Sequence, residues 1–198
     1  MRDYYEELWE RLPDELHPRD LELRRGFALA HISAADRVLD LGCGAGDLTA
    51  ELQTHAASLV GVDVAEAALR RARVRHPGLS FLLAEIGGRL PLEDNSFDVV
   101  WSSEVIEHVP DTARWMSEVR RVLRPGGRLL LTTPSHGRLR LAVGGVGRYS
   151  APLGDHLHLY TAGSLRALLA DFDFDQVEVR AAGGWPWWRR LLLASAVR

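Results

Sequence analysis

The chain has 198 residues, 46% of them hydrophobic and 26% charged, a balance that suits one compact domain with a sizeable core. Its net charge of −3 is carried with scattered arginines and no lysine, which leaves no footprint for nucleic acid and points to a small, roughly neutral substrate. The single cysteine, Cys43, excludes an internal disulfide framework, and no apolar run has the length of a membrane span or a secretory signal, so a cytoplasmic monomer or homodimer without stable membrane insertion is expected.

Tyr4, Tyr5, Leu8, Trp9 and Leu12 recur at spacings of three and four, which predicts a helix closed by Pro13. A second helix is expected from about Asp20 to His31, so residues 1–32 form an N-terminal helical cap and 33–198 the core of one single domain. The core opens on short apolar runs, RVLDLG, LVGVDV, LSFLLAE, FDVVWSS and GRLLLTTP, which alternate with helical segments beginning near Asp47, Glu66 and Asp111. Strand and helix in alternation, with Val- and Leu-rich strands lacking polar alternation, predict a parallel sheet covered by helices on both faces. Toward the end SLRALLADF reads as a helix, and QVEVR and RLLLASAV as two strands whose short connection makes them antiparallel to each other. The fold class is α/β: a Rossmann-like, doubly wound, mostly parallel sheet of seven strands with an antiparallel C-terminal strand. Residues 134–160 are Gly-rich and without period, which marks a lid or substrate loop. The tryptophans of GWPWW are expected to pack across a sheet edge, with the lining of a substrate pocket as the alternative.

In an open parallel sheet the ligand crevice lies beyond the carboxyl ends of the strands, where Gly42, Gly44 and Gly46 follow the first strand. Glycine lets the backbone turn sharply and approach a ligand closely, and the helix that follows turns N–H groups toward an anion. The spacing G-x-G-x-G differs from the dinucleotide pattern G-x-G-x-x-G, no GK[ST] follows, and Asp40 before the turn argues against polyphosphate. An acidic group beside an anion site suits a ligand with both an ammonium and a carboxylate, the methionine end of S-adenosylmethionine. Asp63 closes the second strand about twenty residues on, where its carboxylate can take both ribose hydroxyls, with Val64 beside it. Glu85 and Ile86 follow the third strand at the adenine position, and Ser102 on the fourth strand joins the cofactor-binding set. Cys43 reads as a small filler rather than a nucleophile.

Together these motifs resemble the class I S-adenosylmethionine-dependent methyltransferases that act on small molecules, and they are similar to the ubiquinone-biosynthesis-like O-methyltransferases. VLDLGCGAG resembles the first family motif, GVDVAEAALRRAR the second, LPLEDNSFDVVWSSEVIEHVPD the fourth-strand region and RVLRPGGRLLLTTP the segment after it. The resemblance implies that Asp40, Gly42, Gly44 and Gly46 face the methionine end, Asp63 the ribose, and Glu85 with Ile86 the adenine. Many members have Asp where Glu85 stands.

Within SSEVIEHVPD, Glu104, Glu107 and His108 stand at i, i+3 and i+4, which on a helix is one face, bordering the crevice. The pattern resembles the E-x-x-E-H of ubiquinone-biosynthesis and small-RNA 2′-O-methyltransferases, which implies a divalent cation held by Glu104, Glu107 and His108 and completed by His136, His156 or His158. The favoured reading is metal-free: His108, with an unperturbed pKa near 6.5, is the base, and Glu104 or Glu107 orients it. The expected function is methyl transfer from S-adenosylmethionine to a small-molecule acceptor, at oxygen, leaving S-adenosylhomocysteine. Two other classes are weighed against it. One is a non-catalytic regulatory protein that binds S-adenosylmethionine or S-adenosylhomocysteine. The other is an NAD-type oxidoreductase, for which the glycine spacing is wrong and no lysine can serve a Tyr-Lys pair.

Overall fold

The computed structural model describes residues 2–14, 20–85, 87–137, 156–185 and 189–198. Two helices, α1 (Arg2–Arg11) and α2 (Leu21–Leu29), precede the alternating core. There follow β1 (Arg37–Leu41), α3 (Asp47–Gln53), β2 (Ser58–Asp63), α4 (Glu66–Arg75), β3 (Ser80–Leu83) and β4 (Phe97–Ser103). Then come α5 (Thr112–Val122), β5 (Leu123–Pro134), α6 (Ala162–Asp171), β6 (Asp175–Ala182) and β7 (Leu191–Val197). The sheet has seven strands in the order β3-β2-β1-β4-β5-β7-β6. The pairs from β3 through to β5 are parallel, and β7 runs antiparallel to both β5 and β6, as the sequence predicts. Among the described residues no helix is long and apolar enough to cross a membrane.

Strand alternation sorts the core into two layers. On one face Leu39, Leu41, Val100, Leu129 and Leu131 meet Trp115, Met116, Val119 and Val122 of α5. On the other Val38, Val99, Trp101 and Leu130 meet Phe27 of α2 and Leu52 of α3. Each of these large side chains, once fully buried, stabilises the fold by about 1.5–3 kcal/mol. The order of strands reverses between β1 and β4, and that switch point opens a crevice at their carboxyl ends.

Two expectations change, and a third lies largely outside the described residues. The E-x-x-E-H segment is not an α-helix: a single 3-10 turn covers Ile106–His108, and Glu104 lies before it in the left-handed region at φ 57°. Trp185 is 82% exposed rather than packed across an edge, while Trp187 and Trp188 lie outside the described residues. Of the 134–160 loop, residues 138–155 lie outside the described residues, while the His136 amide donates to the Tyr160 carbonyl and the Leu157 amide to the Glu107 carbonyl, each at 2.8 Å.

Candidate active site

The chain leaves β1 at Leu41 and turns at once, the Gly42 and Cys43 amides donating to the Val62 carbonyl at 2.7 and 3.0 Å. Gly42 sits at φ +89°, and a Cβ there would lie 2.2 Å from Val105 Cγ2, so conformation and space both require glycine. Cys43 is partly buried and its thiol is pushed well up by burial and by Asp40 and Asp63, which suits a filler.

Asp63 ends β2 with its carboxylate already oriented: Oδ2 accepts from the Gly44 amide at 2.8 Å and Oδ1 from the Ala65 amide at 3.0 Å. Each oxygen keeps a further lone pair for a hydroxyl. Burial raises its pKa, and the Ala65, Gly44 and Val64 amides oppose that rise. Asp40, two residues after Val38 and so on the α3 face of β1, accepts from Thr49 Oγ1 at 2.6 Å. Burial pushes its carboxyl up to about 7, with the Thr49 hydrogen bond opposing and Asp63 adding to the rise.

Glu85 lines a separate recess with Val64, Gly87, Gly88 and Asp111, and Ile86 lies outside the described residues. Ser102 does not face the crevice: it is buried and its hydroxyl donates to the Leu41 carbonyl at 2.9 Å. Its neighbour Ser103 points to the opposite face and lines the cavity of about 210 Å³ that also holds Asp40, Gly42, Gly44 and Gly46.

Arg24 is the residue that sequence reasoning missed. It comes from α2, is only 8% exposed, donates from Nη1 to Ser103 Oγ at 3.1 Å and lines that same cavity. Its signal was available, since Arg24 shares the buried face of α2 with Phe27 and Ala28 at i+3 and i+4. A cation on an apolar helix face has a partner to meet.

Helix α1 roofs the crevice although none of its residues is buried. Glu6 accepts from the Ala67 amide at 3.1 Å, and Arg71 donates to the Leu12 and Pro13 carbonyls while its guanidinium lies 5.9 Å from the Trp9 ring. Trp9 sits over Gly44, and Tyr5 meets the His108 ring edge-on at 6.1 Å. A second cavity of about 120 Å³, lined by Tyr5, Trp9, Gly42, Asp63, Glu104 and His108, adjoins the first through Gly42 and Trp9.

The two carboxylates of the E-x-x-E-H segment part company on β5. Thr132 donates to Glu104 Oε1 at 3.1 Å and Thr133 to Glu107 Oε2 at 2.9 Å, and consecutive strand residues point to opposite faces. Burial raises the pKa of Glu104, partly offset by Arg24 and Thr132. Burial, together with repulsion from Glu104, lifts Glu107 well above the usual carboxylate range. His108 Nε2 is 3.8 Å from Glu107 Oε1.

The methyltransferase-domain family matches residues 39–131, from the glycine turn through β5. That stretch is a class I S-adenosylmethionine-dependent methyltransferase domain. A probable S-adenosylmethionine-dependent methyltransferase of Mycolicibacterium smegmatis is 43% identical over 110 residues, 54% of this chain and 41% of that protein. A second, from Mycobacterium tuberculosis, is 35% identical over 150 residues, 75% of this chain and 52% of that protein. The chain thus spans about half the length, or less, of these curated relatives. The YcgJ protein of Bacillus subtilis shares the fold, with a TM-score of 0.73 at 18% identity over 89% of this chain and 98% of that one.

Of the residues that the E-x-x-E-H resemblance implies for a cation, the structure brings some together and not others. Among the described residues, the ligand atoms that come within 4.8 Å of one another belong to Glu107, His108 and His156, while Glu104 accepts from Thr132 at 3.1 Å and is not in that group. His136 Nε2 lies 3.3 Å from His156 Nδ1.

Proposed function

We propose that this methyltransferase domain transfers the methyl group of S-adenosylmethionine to a hydroxyl oxygen of a small-molecule acceptor. The observation that carries the reading is the cavity of about 120 Å³ that both Asp63 and His108 line. The residues fit the cofactor: Asp63 keeps two acceptor lone pairs for the ribose, Asp40 meets the ammonium, and Arg24 meets the carboxylate. Glu85 and Val64, in the adjoining recess, border the adenine. When bound, S-adenosylmethionine supplies an electrophilic methyl group. The chain's own task is then to align the acceptor and remove its proton. His108 takes that proton, and Glu107 at 3.8 Å stabilises the imidazolium that forms. An oxygen acceptor suits this arrangement because a hydroxyl, unlike a neutral amine, gains nucleophilicity mainly on losing its proton. Scattered arginines, a net charge of −3 and the aromatic roof of Tyr5 and Trp9 favour a compact acceptor over nucleic acid.

Two measurements test the proposal. Calorimetry with S-adenosylhomocysteine shows binding that Asp63→Ala weakens by about 1–3 kcal/mol through lost charge-assisted hydrogen bonds. Methyl-labelled S-adenosylmethionine, offered with a panel of phenols, aliphatic alcohols, amines and thiols, yields labelled methyl ethers. Equal affinity in Asp63→Ala refutes the cofactor site. Label appearing only on amines or thiols refutes the oxygen assignment, and binding without any transfer supports the regulatory alternative.

A further inference from the structure

We propose that Thr132 is a positioning residue of the cofactor site: with Ser103 it forms a hydrogen-bond relay between Arg24 and Glu104 that aims the Arg24 guanidinium at the carboxylate of S-adenosylmethionine. The inference rests on the reading that places this carboxylate at Arg24. Thr132 is fully buried and lines neither cavity, so it acts on the site only through the side chains it holds.

The register of the sheet builds the relay. β4 and β5 pair in parallel with Ser103 opposite Thr132, which stands the two side chains next to each other on one face. Their hydroxyl oxygens are 2.9 Å apart. Arg24 reaches in from α2, its Nη1 3.1 Å from Ser103 Oγ, and Glu104 Oε1 lies 3.1 Å from Thr132 Oγ1 at the other end. Glu104 is delivered there by its backbone, which sits at φ 57° in a region unfavourable to any residue with a side chain. Its amide also donates to the Thr132 carbonyl at 2.9 Å, so Thr132 holds Glu104 by main chain and side chain at once.

Counting protons fixes the direction. A guanidinium can only donate, so Ser103 Oγ accepts from Arg24. The Thr132 hydroxyl has one hydrogen and donates it to the Glu104 carboxylate. The Ser103 hydrogen therefore goes to Thr132. The chain of donors runs from a cation to an anion, and charge at both ends strengthens the bonds between them. Arg24 is only 8% exposed and shares its cavity of about 210 Å³ with Asp40 and the glycine turn. Its donors form a planar fork, so holding one of them orients the whole plane. A ligand carboxylate then meets a guanidinium whose rotamer is already set, and the ordering of a long side chain is not charged against binding.

Calorimetry on the full chain with two ligands tests this without any acceptor: S-adenosylhomocysteine, and its decarboxylated form, which lacks only the carboxylate. The wild type is expected to bind S-adenosylhomocysteine about tenfold or more tightly than the decarboxylated form. Thr132→Val, which leaves every charge in place, lowers the affinity for S-adenosylhomocysteine about three- to tenfold and that for the decarboxylated form by less than about twofold. Thr132→Ser keeps the hydroxyl and binds both as the wild type does. Ser103→Ala repeats the selective loss, and adding Thr132→Val to it lowers affinity no further, since one relay is broken only once. Thermal melting checks that each variant is folded, and if Thr132→Val is not, Ser103→Ala with the same two ligands decides. A purely structural role would weaken both ligands alike. Equal losses for the two ligands, an unchanged preference in the folded variant, or additive losses in the double variant overturn the proposal. A wild type that binds S-adenosylhomocysteine without preferring it overturns the placing of the carboxylate at Arg24 and the relay with it, whereas one that binds neither ligand overturns the proposed function itself.

Discussion

Replacing Asp40 by Asn should make the protein more stable and the cofactor site worse, and the size of the gain should depend on pH. The Asp40 carboxyl titrates near 3.8 when unfolded and at about 7 in the fold, chiefly through burial. Because the native value is raised, the folded state holds its proton where the unfolded chain has lost it. The native penalty is thus absent well below pH 4 and complete above pH 7 to 8. At about 1.36 kcal/mol per pH unit, the charged form costs about 4 kcal/mol at pH 8 and about 2 kcal/mol at pH 5. Asn has the same shape and can still accept from Thr49, so Asp40→Asn removes the charge without opening a cavity. Urea unfolding of both proteins at the two pH values reads this effect together with the response of Asp63 and Cys43, whose charges Asp40 faces. The expected gain is about 2–4 kcal/mol at pH 8 and about half of that at pH 5, alongside at least a tenfold loss of S-adenosylhomocysteine affinity. A gain independent of pH, or a loss of stability at pH 8, refutes the reasoning.

Gly42→Ala places a methyl 2.2 Å from Val105 Cγ2 on a backbone at φ +89°, and urea denaturation should show a loss of about 2–4 kcal/mol. Exhaustive chelation should leave methyl transfer intact, whereas His108→Ala should lower it about 10²- to 10⁴-fold; activity that collapses with the chelator and returns with a divalent cation contradicts the metal-free base.

Much of the architecture is legible along the chain because its determinants are local. RVLDLG, LVGVDV and FDVVWSS are largely apolar on both faces, as covered parallel strands are. The glycine turn and Asp63 are similarly plain, since a sharp backbone turn and a strand-end carboxylate are properties of their own few residues. Tertiary structure decided what spacing does not encode. The i, i+3, i+4 pattern of Glu104, Glu107 and His108 presumes a helix, but β5 offers Thr132 to one face and Thr133 to the other, and these hydroxyls draw the two carboxylates apart. Ser102 and Ser103 are chemically alike in sequence, and only the pleat of β4 assigns one to Leu41 and the other to the crevice. Arg24 meets Ser103 from 79 residues away, and His136 meets His156 across a 20-residue excursion of the chain. Such pairings arise from which strand lies beside which, a property of the closed sheet that no local stretch contains.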